Sequence, residues 1–223
     1  CGVILEYTNA GARKRPCVRC FCEGFNMKKK SFCLLLLTAV LLFCAACGQT
    51  QTEQPEDTGD KDQYMTEPVP EGKPNPVEPQ DTTVDTTTTH TCTFSISCET
   101  ILDNMDKCVE SKKFLVPADG IVFPATKVEF SEGESVFDVL QRVCRDNAIH
   151  MESNWTPVYN SAYVEGINNL YEFDVGSLSG WMYNVNGWYP NYGCSRYQVK
   201  DGDVVEWRYT CDLGEDLGSG MGG

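Results

Sequence analysis

SGWMYNVNGWYPNYGCSRYQVKDGDVVEWRYTCDLG, from Ser179 to Gly214, holds Trp181, Trp188 and Trp207, three of the four tryptophans in the 223-residue chain. It also holds Tyr183, Tyr189, Tyr192, Tyr197 and Tyr209, half of the ten tyrosines. Aromatic side chains bury large apolar areas while their N–H and O–H tips need partners, so a run this dense is a core, a binding face or both. Two local patterns divide it. Val205, Trp207, Tyr209 and Cys211 alternate with Val204, Glu206 and Arg208, which is the period of a strand with one buried face. Asn186-Gly187 sits between Trp181–Val185 and Trp188-Tyr189, and Asn-Gly between apolar runs predicts a tight hairpin. Lys200-Asp201-Gly202-Asp203 predicts the turn that feeds the last strand.

Upstream, Ser135 to about Asn147 predicts the one substantial helix. Ser135 and Asp138 fit a capping box, Val136, Val139, Leu140, Val143 and Cys144 form an apolar stripe, and Asn147 suits the C-terminal cap. Cys92, Phe94, Ile96 and Cys98 alternate with Thr93, Ser95 and Ser97, which predicts a half-buried strand from about Thr91. Residues 103–116 are polar, with room for one short helix, and 116–120 read as a turn. Residues 121–123, 126–130, 148–155 and 161–167 read as extended pieces. Strands around a single helix predict an α+β domain over residues 91–214, with the helix packed on a mixed or antiparallel sheet. The glycine-rich end, residues 215–223, is expected to be a flexible tail.

The N-terminal part reads differently. Met27 to Lys30 is basic, SFCLLLLTAVLLFC follows from Ser31 to Cys44, and Ala45-Ala46-Cys47-Gly48 comes next. A basic start, a short apolar run and small residues mark a secretory signal, here residues 27–46, and the run is shorter than the ~20 residues of a spanning helix. The Ala-Ala-Cys ending resembles a bacterial lipobox, which would make Cys47 the lipidated first residue of the mature protein, although Cys44 stands where such a box has Leu. The expectation is a lipid anchor on the outer face of the cell membrane. Residues 1–26 precede the apparent start at Met27 and are read as an upstream, non-native segment; a zinc site built on their Cys17, Cys20 and Cys22 would need four ligands, and no histidine is near. Residues 47–90, rich in Pro, Thr and acids, are expected to be a disordered linker, because such a composition buries too little apolar surface to offset chain entropy.

The chain carries a formal net charge of −14; without residues 1–46, which hold seven of the 18 Lys/Arg and two of the 32 Asp/Glu, the remainder carries −19. A surface this acidic excludes nucleic acid as a partner. Six cysteines follow Cys47: Cys92, Cys98, Cys108, Cys144, Cys194 and Cys211. In an exported domain an even set predicts disulfides, each stabilising by ~2–4 kcal/mol, with Cys98–Cys211 as the leading pair and buried free thiols as the competing reading.

No catalytic constellation is present. The histidines are His90, in the expected linker, and His150, and the chain has no G-x-S-x-G, H-E-x-x-H, P-loop or dinucleotide fingerprint. Asp201-Gly202-Asp203 and Asp212 to Asp216 place carboxylates near glycine but lack the regular spacing of a calcium loop, and Asp-Gly serves tight turns equally well. No metal is expected. The candidate ligand-binding residues are therefore Trp181, Tyr183, Asn184, Asn186, Trp188, Tyr189, Asn191 and Tyr192, rings and amides suited to a flat, partly polar ligand. The competing reading is that they close the core of a small sheet.

GESVFDVL (133–140), YVEGINNLYEFD (163–174), SGWMYNVNG (179–187) and KDGDVVEWRYT (200–210) resemble the transcobalamin-like C-terminal domain, a β-grasp module of the soluble-ligand-binding type found in exported lipoproteins of Gram-positive gut bacteria. The resemblance covers nearly all of residues 91–214. It implies a β-grasp fold and makes cobalamin a candidate ligand, with no cofactor required. In the animal cobalamin carriers this module is the smaller lid against a helical domain, for which these residues show no counterpart. The function expected is non-catalytic ligand binding, with a structural or adhesive surface module, binding a surface protein, as the alternative.

Overall fold

Alternation of apolar and polar residues builds the first strand, β1 (Asp85–Ser97), whose Cys92, Phe94 and Ile96 are fully buried between half-buried threonines and serines. This is a computed structural model that describes residues 61–220, all within one compact unit spanning 57–223. The expected upstream segment, signal peptide, Cys47, and the linker as far as residue 60 lie outside the described residues.

β1 pairs antiparallel with β2 (Ile121–Glu132), which is one continuous strand rather than the two short pieces its sequence suggests. Pro124 divides the pattern but not the strand. Between the pairs Phe94↔Thr126 and Ile96↔Phe123, the β2 side has an extra residue, and β2 is an edge strand, where proline is tolerated. The short α1 (Glu99–Leu102) follows β1, and the polar 103–116 segment contains a 3₁₀ helix, Glu110–Leu115.

The main helix, α2 (Val136–Asp146), forms as expected. The Ser135 hydroxyl accepts from the Asp138 amide at 3.2 Å and the Asp138 carboxylate accepts from the Ser135 amide at 2.8 Å. Its buried residues are Val136, Val139, Leu140, Val143 and Cys144, the stripe its spacing predicts. Asn147 closes it, donating from Nδ2 to the Val143 carbonyl at 2.8 Å.

β3 (Met151–Thr156), β4 (Ser161–Ile167) and β5 (Leu170–Tyr171) form a second sheet in that order. Asn168 and Asn169, both with positive φ, make the β4–β5 turn. β6 (Gly180–Val185) and β7 (Val204–Thr210) complete the first sheet, ordered β2-β1-β7-β6. β7 lies parallel to β1, with Ile96 beside Trp207, and antiparallel to β6. A helix packed on a mixed sheet whose first and last strands run parallel at its centre is an α+β, β-grasp-like arrangement.

The core joins β1, α1, α2 and β7: Phe94, Ile96, Ile101, Leu140, Val205, Trp207 and Tyr209 are all buried. All six cysteines of the domain are buried, and all six are free; the expected Cys98–Cys211 bridge is not formed. They pack as small apolar groups, and burial pushes the thiols up, Cys98, Cys144 and Cys194 to about 12 and Cys92 and Cys211 to about 11.

Two expectations from composition are corrected. Residues 61–84 are not a free linker: they lie along the domain as a strap with little regular structure beyond a 3₁₀ turn at Pro79–Asp81. The apolar content of this segment is indeed low, but hydrogen bonds and ion pairs from residues more than 100 positions away compensate. His90 likewise belongs to β1, opposite Phe130, and not to a linker.

Candidate functional site

The Asn186-Gly187 turn forms, with φ of 54° and 76°. The hairpin beyond it does not. Trp188 makes one isolated bridge back to Val185, and Pro190, which has no N–H to donate, follows two residues later. β6 takes β7 as its ladder partner instead. Residues 188–199 then run as an irregular loop across the end of the sheet, including a 3₁₀ turn at Cys194–Arg196.

This loop, β4 and β6 line an open-sided cavity of about 400 Å³. Its walls include Trp181 and Tyr183 from β6, Ala162 and Val164 from β4, Tyr192 from the loop, and Trp207 from β7. Gly193 lets the loop lie against β4: a Cβ there would stand 1.9 Å from Ser161 Oγ. Ser195 Oγ then accepts from the Ala162 amide at 3.0 Å. β6 is an edge strand, and the amide of Val185 turns away from β7 to bond the Trp188 carbonyl at 2.8 Å. Peptide groups repeat with period two along a strand, so those of Trp181 and Tyr183 also face away from β7, toward the cavity side.

The ring tips are mostly closed off. Trp181 Nε1 donates to the Leu170 carbonyl at 2.8 Å and Tyr183 Oη to the Tyr192 carbonyl at 2.8 Å. Trp181 meets Tyr209 edge to face at 5.2 Å, and Tyr192 stacks on Tyr197 at 6.1 Å. Burial holds the Tyr183 and Tyr192 hydroxyls, both of which donate, far above their ordinary range and pushes Tyr197 up to about 12.

Two polar atoms are the exception. Trp207 Nε1 and Asn191 Oδ1 are buried and have no hydrogen-bond partner, and both residues line the cavity. An unpaired buried donor or acceptor costs ~1–3 kcal/mol, and because both atoms are themselves covered, the cavity wall must shift slightly before a ligand can meet them.

Of the residues singled out in the sequence, the cavity brings together Trp181, Tyr183, Asn191 and Tyr192. Asn184, Asn186, Trp188 and Tyr189 do not line it. Asn186 is a fastener: its Nδ2 donates to Asp203 at 2.8 Å and its Oδ1 accepts from the Val204 amide at 2.9 Å. Asn184 Oδ1 accepts from the Gly187 amide at 3.3 Å, inside the turn. The Asp-Gly carboxylates are also taken up by the fold: Asp201 accepts from the Thr91 amide on β1, and Asp203 from the Lys200 amide within the turn.

Sequence reasoning did not identify Arg196. It is 1% exposed, lines the cavity, and its guanidinium is held by Asp62 at 2.8 Å, by Glu78 at 2.5 Å and by the Thr66 hydroxyl. A lone arginine between Ser195 and Tyr197 carries no local pattern. The only available signal was the concentration of acids in the segment read as a linker.

Residues 133–211 match the model of a family described as a domain of unknown function (DUF4430). No curated protein matches the chain. Among solved structures, haptocorrin in complex with Cbi is similar at 15% identity with a TM-score of 0.42, over 58% of this chain and 27% of that one. This chain thus corresponds to about a quarter of haptocorrin's length. A protein from Ruminococcus gnavus ATCC 29149, described as a proposed metal binding protein, is similar at 14% identity with a TM-score of 0.31, over 54% of this chain and 96% of that one.

Proposed function

We propose that this domain binds a small, largely apolar ligand without catalysis, in the cavity between β4, β6 and the 188–199 loop. The observation that carries this reading is the cavity of about 400 Å³ itself, lined by Trp181, Tyr183, Tyr192 and Trp207 beside Ala162, Val164 and Met182, with two lining residues, Trp207 and Asn191, that each keep a covered polar atom without a partner. Cores rarely retain such orphans, and a ligand with a matching acceptor and donor relieves both. The volume is at the lower end of the ~300–1,000 Å³ usual for small-molecule sites.

The resemblance of SGWMYNVNG and KDGDVVEWRYT to transcobalamin-like domains makes a corrinoid the first ligand to test. A corrinoid is larger than the cavity, so only one edge of it would enter. Titrating cobalamin into the full chain while following tryptophan emission should give saturable quenching, and Trp207→Phe should weaken it while the circular dichroism spectrum is retained. No quenching at high micromolar cobalamin removes the corrinoid.

A second reading, a surface interaction module, is favoured by the exposed Trp155, Val158 and Tyr159, each more than half accessible at the β3–β4 turn. Tyr159 also borders the cavity, so the test is Trp155→Ser with Val158→Ser, which would abolish partner capture and leave the midpoint of cobalamin quenching unchanged. For either reading we place the protein outside the cell, anchored through lipidated Cys47. The basic Met27–Lys30 start, the apolar run and Ala45-Ala46-Cys47 support this. Cys47→Ser should release the protein into the medium.

A further inference from the structure

The strap, residues 61–84, is bound to the domain in an unusual way. It contributes no strand pairing and crosses the 188–198 loop as an extended, proline-rich chain, Glu67-Pro68-Val69-Pro70 and then Pro74-Asn75-Pro76. Prolines have carbonyls but no N–H, so a surface that holds such a chain must supply donors. The loop supplies them in order. Asn191 Nδ2 donates to the carbonyls of Glu67 at 3.1 Å and Pro68 at 3.3 Å. Tyr192 Oη donates to the Pro74 carbonyl at 2.7 Å. The Arg196 carbonyl then accepts from the Val77 amide at 2.8 Å, the first strap position after these prolines with an N–H to offer. Lys73 lies over the Trp188 ring at 5.3 Å, and Val69 packs against the core.

Charge completes the match. Arg196 grips Glu78 through Nε at 3.1 Å and Nη2 at 2.5 Å, and Asp62 through Nη2 at 2.8 Å. Asn160 Nδ2 donates to the other Glu78 oxygen at 2.6 Å and to Gln80 at 2.9 Å. Both carboxylates on this buried guanidinium come from the strap. A buried arginine without an acid partner is strongly disfavoured, so the surface selects for acids at these two places.

Aromatic rings, donors aimed at carbonyls between prolines, and a cation for flanking acids are the features of a surface that reads extended proline-rich peptides. We propose that the 188–198 loop, with Asn160, is a binding site for acidic, proline-rich extended peptides, and that residues 62–82 occupy it in cis. The strap is then a tethered ligand and not a structural member of the fold. Its attachment gives it a millimolar-range effective concentration, which excludes the same peptide in trans until the cis contact is weakened. The assignment stands apart from the cavity's small-molecule ligand, although Met65 and Thr66 of the strap border that cavity.

The test uses the full chain carrying Asp62→Asn and Glu78→Gln together, with a fluorescein-labelled synthetic peptide of residues 61–82. The native peptide should bind the double variant at least about ten-fold more tightly than it binds the unmodified chain, because the variant strap competes less well. A peptide carrying the same two substitutions should not bind. Equal binding of the two peptides, or no binding of the native one, overturns the assignment. Hydrogen exchange on the unmodified chain decides independently, including in the case that the double variant does not fold. The Val77 amide should exchange through local opening, much faster than the amides of β7. If Val77 exchanges only with global unfolding, the strap is part of the core and the assignment fails.

Discussion

β7 and the loop from Trp188 to Val199 are neighbours in sequence and equally aromatic, yet their side chains do opposite work. In β7, period two directs Val205, Trp207 and Tyr209 into the core, and the Tyr209 hydroxyl donates to the Tyr171 carbonyl at 2.7 Å. In the loop, no period holds, and Tyr192, Asn191 and Arg196 reach to a segment 118 to 134 residues away. The strand's aromatics make the core; the loop adds the Tyr192 and Tyr197 rings to that core but turns the Tyr192 hydroxyl, Asn191 and Arg196 to what lies on it. Similar composition therefore carries different roles, and the backbone geometry decides which.

The sharpest way to break this comparison is to damage the strand. Tyr209→Ala removes a ring that is 1% exposed and its hydrogen bond, and should cost about 3–5 kcal/mol in urea unfolding, in line with other large-to-small core changes. A cost below ~1 kcal/mol, the scale of an isolated hydrogen bond, would mean β7 is not the core strand described. Gly193→Ala tests the seat of the loop. The added methyl group meets Ser161 Oγ at 1.9 Å, so the loop must lift or β4 must move, at about 1–3 kcal/mol, the typical cost of overpacking. Loss of stability should come with loss of ligand quenching, because β4 and the loop share the cavity.

Alkaline pH acts on both regions, through different groups. Burial raises the thiols of Cys98, Cys144 and Cys194 to about 12, and those of Cys92 and Cys211 to about 11, from an ordinary value of 9.0. A group whose folded pKa is raised stabilises fully below its unfolded pKa and loses that contribution as pH rises through the folded one. The unfolding midpoint should therefore be flat to about pH 8.5 and fall steadily from pH 9 to 12. Site-resolved alkylation at pH 8 should leave these five cysteines unmodified in the native chain; rapid native labelling would contradict their burial. The smallest global effect belongs to the strap. Asp62→Asn with Glu78→Gln frees the strap and opens Arg196 to water, so it should shift the urea midpoint little, while cleavage by trypsin after Lys61 accelerates. A large drop in midpoint would erase the distinction between core and strap.

Much of the frame was legible because it is local. The α2 cap depends on Ser135 and Asp138, three residues apart, and β1 and β7 show their buried faces in their own alternation. The Asn-Gly turn was legible too, but the strand expected after it was not realised, since β6 had a better partner in β7 than in the two residues before Pro190. Half of the expected site residues reached the cavity and half did not. Asn184 and Asn186 are polar enough to bind a ligand, but the turn they build uses their amides first. The cysteines illustrate the same limit: spacing and number cannot distinguish a bridge from a buried thiol, which depends on the relative placement of side chains on different strands.

From its own residues, the chain determined its periodic elements: a capped helix, two core strands and a tight turn, each set by interactions within a few positions of one another. Tertiary structure decided the cavity, the orphaned polar atoms of its lining residues Trp207 and Asn191, and the ordering of the strap. Those features depend on contacts such as Arg196 with Asp62 and Glu78, more than a hundred residues apart. A segment whose own apolar content is too small to offset its entropy becomes ordered when a distant buried cation supplies the missing free energy, and composition alone does not reveal that cation.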